Sequence, residues 1–469
     1  MKPRVRRAGA IRGRAGLSLI PVLYQTKAEI RQMSTTTTPT REELGLPTFK
    51  PHHAISPGEI AIGVIIGRTS EFFDFFVYAI ASVLVFPKLF FPFVDPLTGT
   101  LYSFAIFALA FIARPFGSLF FMALDRAYGR GVKLTIALFG LGGSTAAIAF
   151  LPTYETMGAT AIWLLAIFRI AQGFALGGTW DGLASLLALN APENRRGWWA
   201  MVPQLGAPFG LIVASALFAY MIAVLPAADF LEWGWRYPFF VALAINVVAL
   251  FARLRIVVTE EFQTLFESRD LQPVSVMGTV SKEGRTVLIG AFAPLASFAM
   301  FHMVTVFPLS WVFLFTKEAP TRFLLIEVLA AVFGLVAVLF SGRLADRYGR
   351  RTLLGTCAVG IAVFSGFAPQ LLDGGTAGEL VFMIGGFILL GLSFGQSSGV
   401  VASAFPTDHR YTGSALTSDL AWLFGAGFAP LAALLLSTHF GLIASGGYLL
   451  SGALATLLAL WLNKELASR

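Results

Sequence analysis

Charged side chains interrupt a few of the longest apolar stretches of this sequence. Glu71 and Asp74 lie in one such stretch, three residues apart, so on a helix they would share one face. Two carboxylates one turn apart repel each other, and one of them is expected to carry a proton near the working pH. The spacing therefore predicts a proton-binding pair in the middle of an apolar helix.

Two arginines lie inside other apolar stretches, Arg114 and Arg169. At 1.5 Å per residue, Glu71 and Arg169 would lie roughly 18 Å and 13 Å from opposite faces of a core about 30 Å thick, which is a similar depth. A Glu71–Arg169 ion pair released by protonation is one interpretation. In the others, Arg169 binds a substrate carboxylate with its planar fork, or the acids only form packing ion pairs with Arg169 or Arg114.

Further polar residues of the apolar stretches are candidates for the same substrate and charge network. They are Gln172, Thr179, Asp181, Gln204 and His302. Each has a structural alternative: Asp181 as an inner-gate or loop contact, Gln204 as a bond to a neighbouring helix, and His302 as a satisfied buried group. Glu327 and Asp419 also lie inside such stretches, but no motif supports a function for them.

The composition identifies the solvent of these stretches. Hydrophobic residues make up 56% of the 469 residues and charged residues 13%, with a mean hydropathy of +0.75. Soluble domains have about 25% charged residues, so most of this chain is expected to lie in lipid. The net charge of +8 then reflects loops and anionic headgroups rather than nucleic acid.

Twelve apolar segments are long enough to cross a bilayer, and each must be helical because lipid offers no partner for backbone groups. One alternate set of connections is rich in Lys and Arg, so we expect that set and both termini to be cytoplasmic. The predicted spans are 59–87, 99–124, 132–152, 160–189, 198–225, 234–254, 286–315, 322–345, 352–371, 378–404, 414–437 and 440–462.

The two halves of the chain repeat each other. Asp125–Arg130 and Asp346–Arg351 follow spans two and eight, and the Ala-Pro pairs at Pro208 and Pro430 lie in spans five and eleven. Echoes at one offset of roughly 220 residues indicate an internal duplication. The sequence thus predicts two six-helix pseudo-symmetric bundles. The first bundle is predicted at 58–254 and the second at 286–463, joined by a cytoplasmic linker, 255–285. A basic and then polar disordered tail, 1–57, precedes them, and a short tail, 464–469, follows.

Residues 1–32 of the tail are Arg-rich and contain no acid before Glu29. They are either a targeting segment or a stretch that is not translated, in which case translation starts at Met33.

The motifs resemble those of the major facilitator superfamily. Gly342–Arg351 is similar to its loop signature, and Arg169-Ile-Ala-Gln-Gly173 to its span-four motif. Glu71-Phe-Phe-Asp74, Ala113–Gly117, Pro203–Gly210 and Trp233–Phe239 resemble the metabolite:proton symporter family, which takes up organic acids, betaines and proline. The resemblance covers about residues 58–465. It implies the twelve-helix major facilitator fold.

The same resemblance implies gating roles for two loops. The residues concerned are Asp125, Arg126, Gly129, Arg130, Gly342, Asp346, Arg347, Gly349, Arg350 and Arg351. The first loop departs from the pattern, with Met122 in place of Gly and Arg126 in place of Asp. Span four also departs, since its acid lies at Asp181, two residues from the usual place. We expect a weaker first latch as a result.

These features predict a secondary active transporter that carries a small organic solute with protons by alternating access, as a monomer in the bacterial inner membrane. No metal or cofactor is expected. A proton antiporter, a non-transporting relative and a membrane-embedded enzyme remain alternatives. An ATP-driven pump is disfavoured, because no Gly-x-x-x-x-Gly-Lys-Ser/Thr string is present, and the five histidines are too scattered to favour an enzyme.

Overall fold

The computed structural model of the protein describes residues 57–179, 187, 191–257, 272–399 and 405–462, and within these ranges the chain contains helices and no strand. The first half holds six long helices, which are α1 (Pro57–Leu84), α2 (Pro96–Tyr128), α3 (Arg130–Ala149), α4 (Ala159–Gly178), α5 (Arg196–Val224) and α6 (Tyr237–Val257). The predicted site residue Asp181 and the predicted tail lie outside the described residues.

The second half repeats this order. Its helices are α7, which is broken into α7a (Val276–Phe292), α7b (Leu295–Thr305) and α7c (Phe307–Phe315), then α8 (Pro320–Tyr348), α9 (Arg350–Leu372), α10 (Gly375–Phe394), α11 (Arg410–Phe440) and α12 (Ile443–Leu462). Three short helices at Phe86–Phe90, Tyr154–Met157 and Ala227–Glu232 connect the long ones at the end opposite the α2–α3 loop.

Eleven helices in the described part are long and apolar enough to cross a membrane. Helix α1, with 28 residues, is also long enough. Its central stretch holds three charged residues, Arg68, Glu71 and Asp74. Helix α1 therefore carries the predicted acid pair at the cost of placing three charges within one span.

Prolines mark the interruptions of α7 and the irregular start of α5. Pro294 and Pro308 stand at the joints of the three α7 pieces, and Pro203 lies in a 3-10 turn, Val202–Leu205, within α5. Each lacks the N–H that a continuous helix needs. Helix α7 begins at Val276, where Ser275 caps it by accepting a hydrogen bond from the Gly278 N–H. It thus enters the segment that the sequence assigned to a linker.

Small residues allow the closest helix contact of the first half, between α2 and α4. A Cβ atom on Gly117 would lie 1.9 Å from the Phe174 carbonyl oxygen, and one on Gly177 would lie 2.3 Å from the Ser118 nitrogen. The two backbones are therefore in van der Waals contact, as in other membrane helix pairs with small residues at the interface. This contact fixes the depth of Arg114 and Arg169, which these two helices carry.

Helix contacts within each half differ from those that join the halves. Within the first half α1 contacts α5 and α6, and within the second α8 contacts α10 and α9 contacts α12. Between the halves, α5 packs on α8 and α2 packs on α11. In the predicted pseudo-symmetry α2 corresponds to α8 and α5 corresponds to α11. The α2–α11 contact is therefore the counterpart of the α5–α8 contact.

Matched turns end α2 and α8. Gly129 and Gly349 follow these helices with φ of 83° and 85°, a region that glycine enters without the Cβ penalty. We call the end of the bundle that holds these turns the basic end, because the arginines of both predicted gating loops lie there.

The α2–α4 contact can be tested by adding side-chain volume at Gly177. We expect Gly177→Val to lower stability by about 1–3 kcal/mol, since overpacked interfaces cost that much, and to lower the thermal unfolding midpoint of the detergent-purified protein. Gly143→Val is the matched control, because a Cβ on Gly143 meets nothing within 4 Å. Equal midpoints for the two variants would contradict the described packing.

Candidate functional site

Glu71 is held between two guanidinium groups. Arg68, one turn earlier on α1, places Nη1 2.5 Å from Oε2, and Arg253 of α6 places Nη2 2.6 Å from Oε1. Arg253 is only 2% exposed and also donates to the Thr179 carbonyl oxygen at the end of α4, at 3.1 Å. The predicted site residue Thr179 therefore joins the Glu71 network through its backbone.

Sequence reasoning missed Arg253, which lies at the predicted end of the sixth span, 234–254. Helix α6 continues to Val257, so Arg253 is still inside the bundle. Its side chain passes over Gly67, where a Cβ would lie 2.0 Å from Nε. A glycine one turn before a buried acid was the available signal, but it does not say which cation would pass over it.

Arg169 does not pair with Glu71, so the interpretation of a direct ion pair was wrong. Its Nε donates to the Phe107 carbonyl oxygen at 3.2 Å, its Nη1 donates to Gln172 at 3.1 Å, and its guanidinium lies 3.9 Å from the centre of the Tyr78 ring. Gln172 donates in turn to Thr145 of α3 at 2.7 Å. Arg169 is thus fixed by groups that do not neutralise it.

Asp74 has a different environment from Glu71. Its Oδ2 accepts a hydrogen bond from the Asn246 side chain of α6 at 2.5 Å, and Ser70 donates to the oxygen of the same amide. Among the described residues, no Lys, Arg or His lies within ion-pair distance of Asp74. The two acids predicted as a pair are therefore partnered separately, one by cations and one by an amide.

Arg114 crosses from one half to the other. Its Nε lies 2.9 Å from Oδ1 of Asp419 on α11, and its guanidinium lies 5.8 Å from the Trp422 ring centre. Sequence reasoning assigned Asp419 no function, because the two residues are 305 positions apart and no local pattern links them. The duplication gave the only signal, since it makes α2 and α11 neighbours.

These side chains surround a small cavity between the halves, which we call the charged chamber. Its volume is about 40 Å³, room for about three water molecules. It is too small for an organic solute, so the halves must move apart before one can bind there. The lining includes Arg68, Glu71, Phe111, Arg114, Arg169 and Trp422.

The remaining candidates lie around this chamber rather than in its lining. His302 of α7b is fully buried among the rings of Phe75 and Phe301, and neither of its ring nitrogens has a hydrogen-bond partner within the described ranges. Gln204 of α5 donates to Ser397 in the second half at 3.4 Å, which fits its structural alternative.

Glu327 of α8, which sequence reasoning left without a role, accepts a hydrogen bond from Ser215 of α5 at 2.8 Å. This bond also crosses between the halves. Both residues are fully buried.

The second gating loop closes the basic end across the halves. Asp346 of α8 accepts backbone hydrogen bonds from Gly197 at 2.6 Å and Trp198 at 3.0 Å, at the start of α5. Arg350 donates to the Gly399 carbonyl oxygen at 2.8 Å. A Cβ on Gly342 would lie 2.9 Å from the Trp198 Cα, so the glycine of the motif permits the close approach.

The first gating loop makes its contact differently. Arg126 occupies the place of Asp346, three residues before the turn glycine, and points to the Val274 carbonyl oxygen at 3.4 Å. Asp125, one residue earlier, pairs with Lys133 at 3.2 Å. Lys133 donates to the Tyr411 hydroxyl at the start of α11 at 2.8 Å. The departure seen in the sequence thus replaces a backbone latch with a side-chain latch, and Lys133 and Tyr411 were missed as its members.

The protein is a membrane bundle of two repeated halves. Charged side chains are buried between the halves, and hydrogen bonds and ion pairs join one half to the other. This is the architecture of a secondary transporter. A profile of the Major Facilitator Superfamily matches residues 64–430. The chain belongs to this superfamily, as the motifs predicted, and it is a transporter rather than an enzyme.

Several proteins are similar along almost the whole chain. An inner membrane metabolite transport protein, YhjE of Escherichia coli K12, is 36% identical over 420 residues, which cover 87% of this chain and 94% of that protein. The proline/betaine transporter of the same organism is 30% identical over 421 residues, which cover 86% of this chain and 83% of that protein. The crystal structure of a D-xylose-proton symporter has a TM-score of 0.66 at 18% identity and covers 88% and 98%. That structure supports the fold.

The Glu71–Arg253 contact can be tested from either side. We expect Arg253→Gln, and equally Gly67→Ala, to destabilise the protein by about 3 kcal/mol, the lower part of the range for a broken buried ion pair, because Arg68 remains. Arg255→Gln is the control, since Arg255 is exposed two residues away. The measurement is thermal unfolding together with uptake. A Gly67→Ala protein as stable as the control would contradict the path of Arg253.

Proposed function

We propose that the protein is a proton-coupled symporter of a small organic solute that works by alternating access. The observation that carries this proposal is the separate partnering of two buried acids, Glu71 and Asp74, on one helix beside a chamber between the halves. Neither acid lies in a loop, and charged groups inside spans are costly unless paired or functional.

Asp74 is the proton carrier in this proposal. A carrier must be stable both charged and neutral, and an amide partner such as Asn246 can hydrogen-bond either form. Glu71 is bound by Arg68 and Arg253 at 2.5 and 2.6 Å, so protonation there would break two ion pairs. We therefore assign Glu71 the role of holding α1 against α6.

The arginines of the chamber bind the solute. Arg169 presents a guanidinium that rests on Tyr78 and has no carboxylate in contact within the described part of the chain. Arg114 can exchange Asp419 for a carboxylate of the solute. When Arg114 releases Asp419, one link between α2 and α11 is lost, which couples solute binding to movement of the halves.

The direction of opening follows from the latches. The backbone bonds of Asp346 and the Lys133–Tyr411 contact both close the basic end. We propose that this end is cytoplasmic, with both termini on that side, in a bacterial inner membrane, and that the functional unit is a monomer. The excess of Lys and Arg in these loops supports the orientation. The relatives, which transport metabolites, proline/betaine or shikimate by their names, support a small organic solute.

Asp74→Asn tests the coupling. We expect proteoliposomes with this variant to lose solute accumulation driven by an imposed pH gradient, while solute exchange without a gradient continues, because the neutral side chain mimics the protonated carrier. Wild-type vesicles, acidic outside, should accumulate solute. Release of solute in the same gradient would instead favour the antiporter.

Asp95→Asn is the matched control for this change. Asp95 precedes α2 outside the span and caps it by accepting from the Thr98 N–H at 3.0 Å. The Thr98 hydroxyl also donates to Asp95, at 2.6 Å, and the hydroxyl and N–H bonds lower the pKa of the Asp95 carboxyl. Asparagine caps a helix equally well, so uptake should not change. Accumulation by Asp74→Asn at the level of this control would remove Asp74 from the coupling.

A further inference from the structure

A second cavity, of about 20 Å³, lies beside the charged chamber. It is bounded by α1 and α5 of the first half and by α7, α8 and α10 of the second, and every lining residue is buried. Its polar side chain, Thr305, donates its hydroxyl to the Phe301 carbonyl oxygen at 2.8 Å. We call this cavity the apolar chamber; its lining includes Phe76, Ala207, Leu211, Phe301, Val338 and Phe394.

One layer of aromatic rings separates the two chambers. Phe72 and Phe75 line the charged chamber, whereas Phe76, Phe301 and Phe394 line the apolar one. The ring centres of Phe72 and Phe301 are 5.8 Å apart, and those of Phe72 and Phe394 are 6.1 Å apart. These ring contacts are therefore part of the boundary between the two chambers.

The ring layer also joins the halves. Phe72, Phe75 and Phe76 come from α1, while Phe301 comes from α7b and Phe394 from α10. A movement that separates the halves must pull these rings apart. The joined space would then have guanidinium groups at one end and hydrocarbon at the other.

We propose that the apolar chamber, once the halves have separated, is the subsite for the non-polar part of the solute, and that the solute is an organic acid whose carboxylate is attached to an apolar body. This inference rests on the proposed function, since it names the substrate class of the same site. Arg114 and Arg169 bind the carboxylate, and Leu211, Val338 and the rings bind the body. A small polar acid would leave the apolar chamber unfilled.

Equilibrium binding tests the subsite better than uptake, because undissociated aromatic acids cross lipid unaided. The full chain in lipid nanodiscs is titrated calorimetrically with acetate, phenylacetate, 3-phenylpropionate, succinate and glycine betaine, with phenylacetamide to remove the charge. We expect 3-phenylpropionate to bind about tenfold or more tighter than acetate, since apolar groups of this size give such ratios in closed pockets, and phenylacetamide to bind weakly.

Ala207→Phe, which fills the apolar chamber from α5, should weaken 3-phenylpropionate binding about tenfold or more and leave acetate binding almost unchanged. Val213→Phe is the matched control, because Val213 is 42% exposed on the same helix. If Ala207→Phe does not fold, Val338→Phe fills the chamber from α8. Tighter binding of succinate or glycine betaine than of the phenyl acids, or unchanged 3-phenylpropionate binding in a folded filled variant, would overturn the proposal.

The outcome is separable from that of the coupling experiment. If Asp74→Asn still accumulates solute but the phenyl acids rank as expected, the assignment of the proton carrier fails and the apolar subsite stands. If a polar solute is accumulated through Asp74 and chamber filling has no effect, the symport mechanism stands and the subsite fails.

Discussion

A charge in hydrocarbon must be paired or hydrogen-bonded, and in this protein that constraint organises the centre of the bundle. Glu71 requires the cations of Arg68 and Arg253, and Arg253 in turn requires Gly67 so that it can reach Glu71. These contacts hold α1 against α6. The orientation of α1 then directs Asp74 to Asn246 and presents phenylalanine rings to the second half.

The fold followed from patterns that extend over many residues. Twelve spans, their grouping into halves and the equivalence of the two loops could all be predicted, because hydropathy and repetition are summed over long stretches. The turns at Gly129 and Gly349 agree even in φ. The start of α7 was harder to predict, since Ser275 caps a first turn that is polar and so resembles a linker.

The partners within the site were mostly not predictable. Depth placed Glu71 and Arg169 at one level, and both line the charged chamber, but depth along the membrane normal does not give the angle around each helix. That angle directs Glu71 to Arg253 and turns Arg169 towards Tyr78. Asp419 was passed over for the related reason that its partner lies on a helix of the other half. Contacts between distant segments leave little trace in a single sequence.

The charged character of α1 has a consequence for how the protein is made. During synthesis Arg253 follows Glu71 by 182 residues, which at ribosomal speeds of 5–20 residues per second is a delay of roughly ten to forty seconds. Until then α1 has left the ribosome with Arg68 as the near cation and without α6. The insertion machinery must therefore retain the first helix, or the following helices must shelter it from lipid, until the sixth helix arrives.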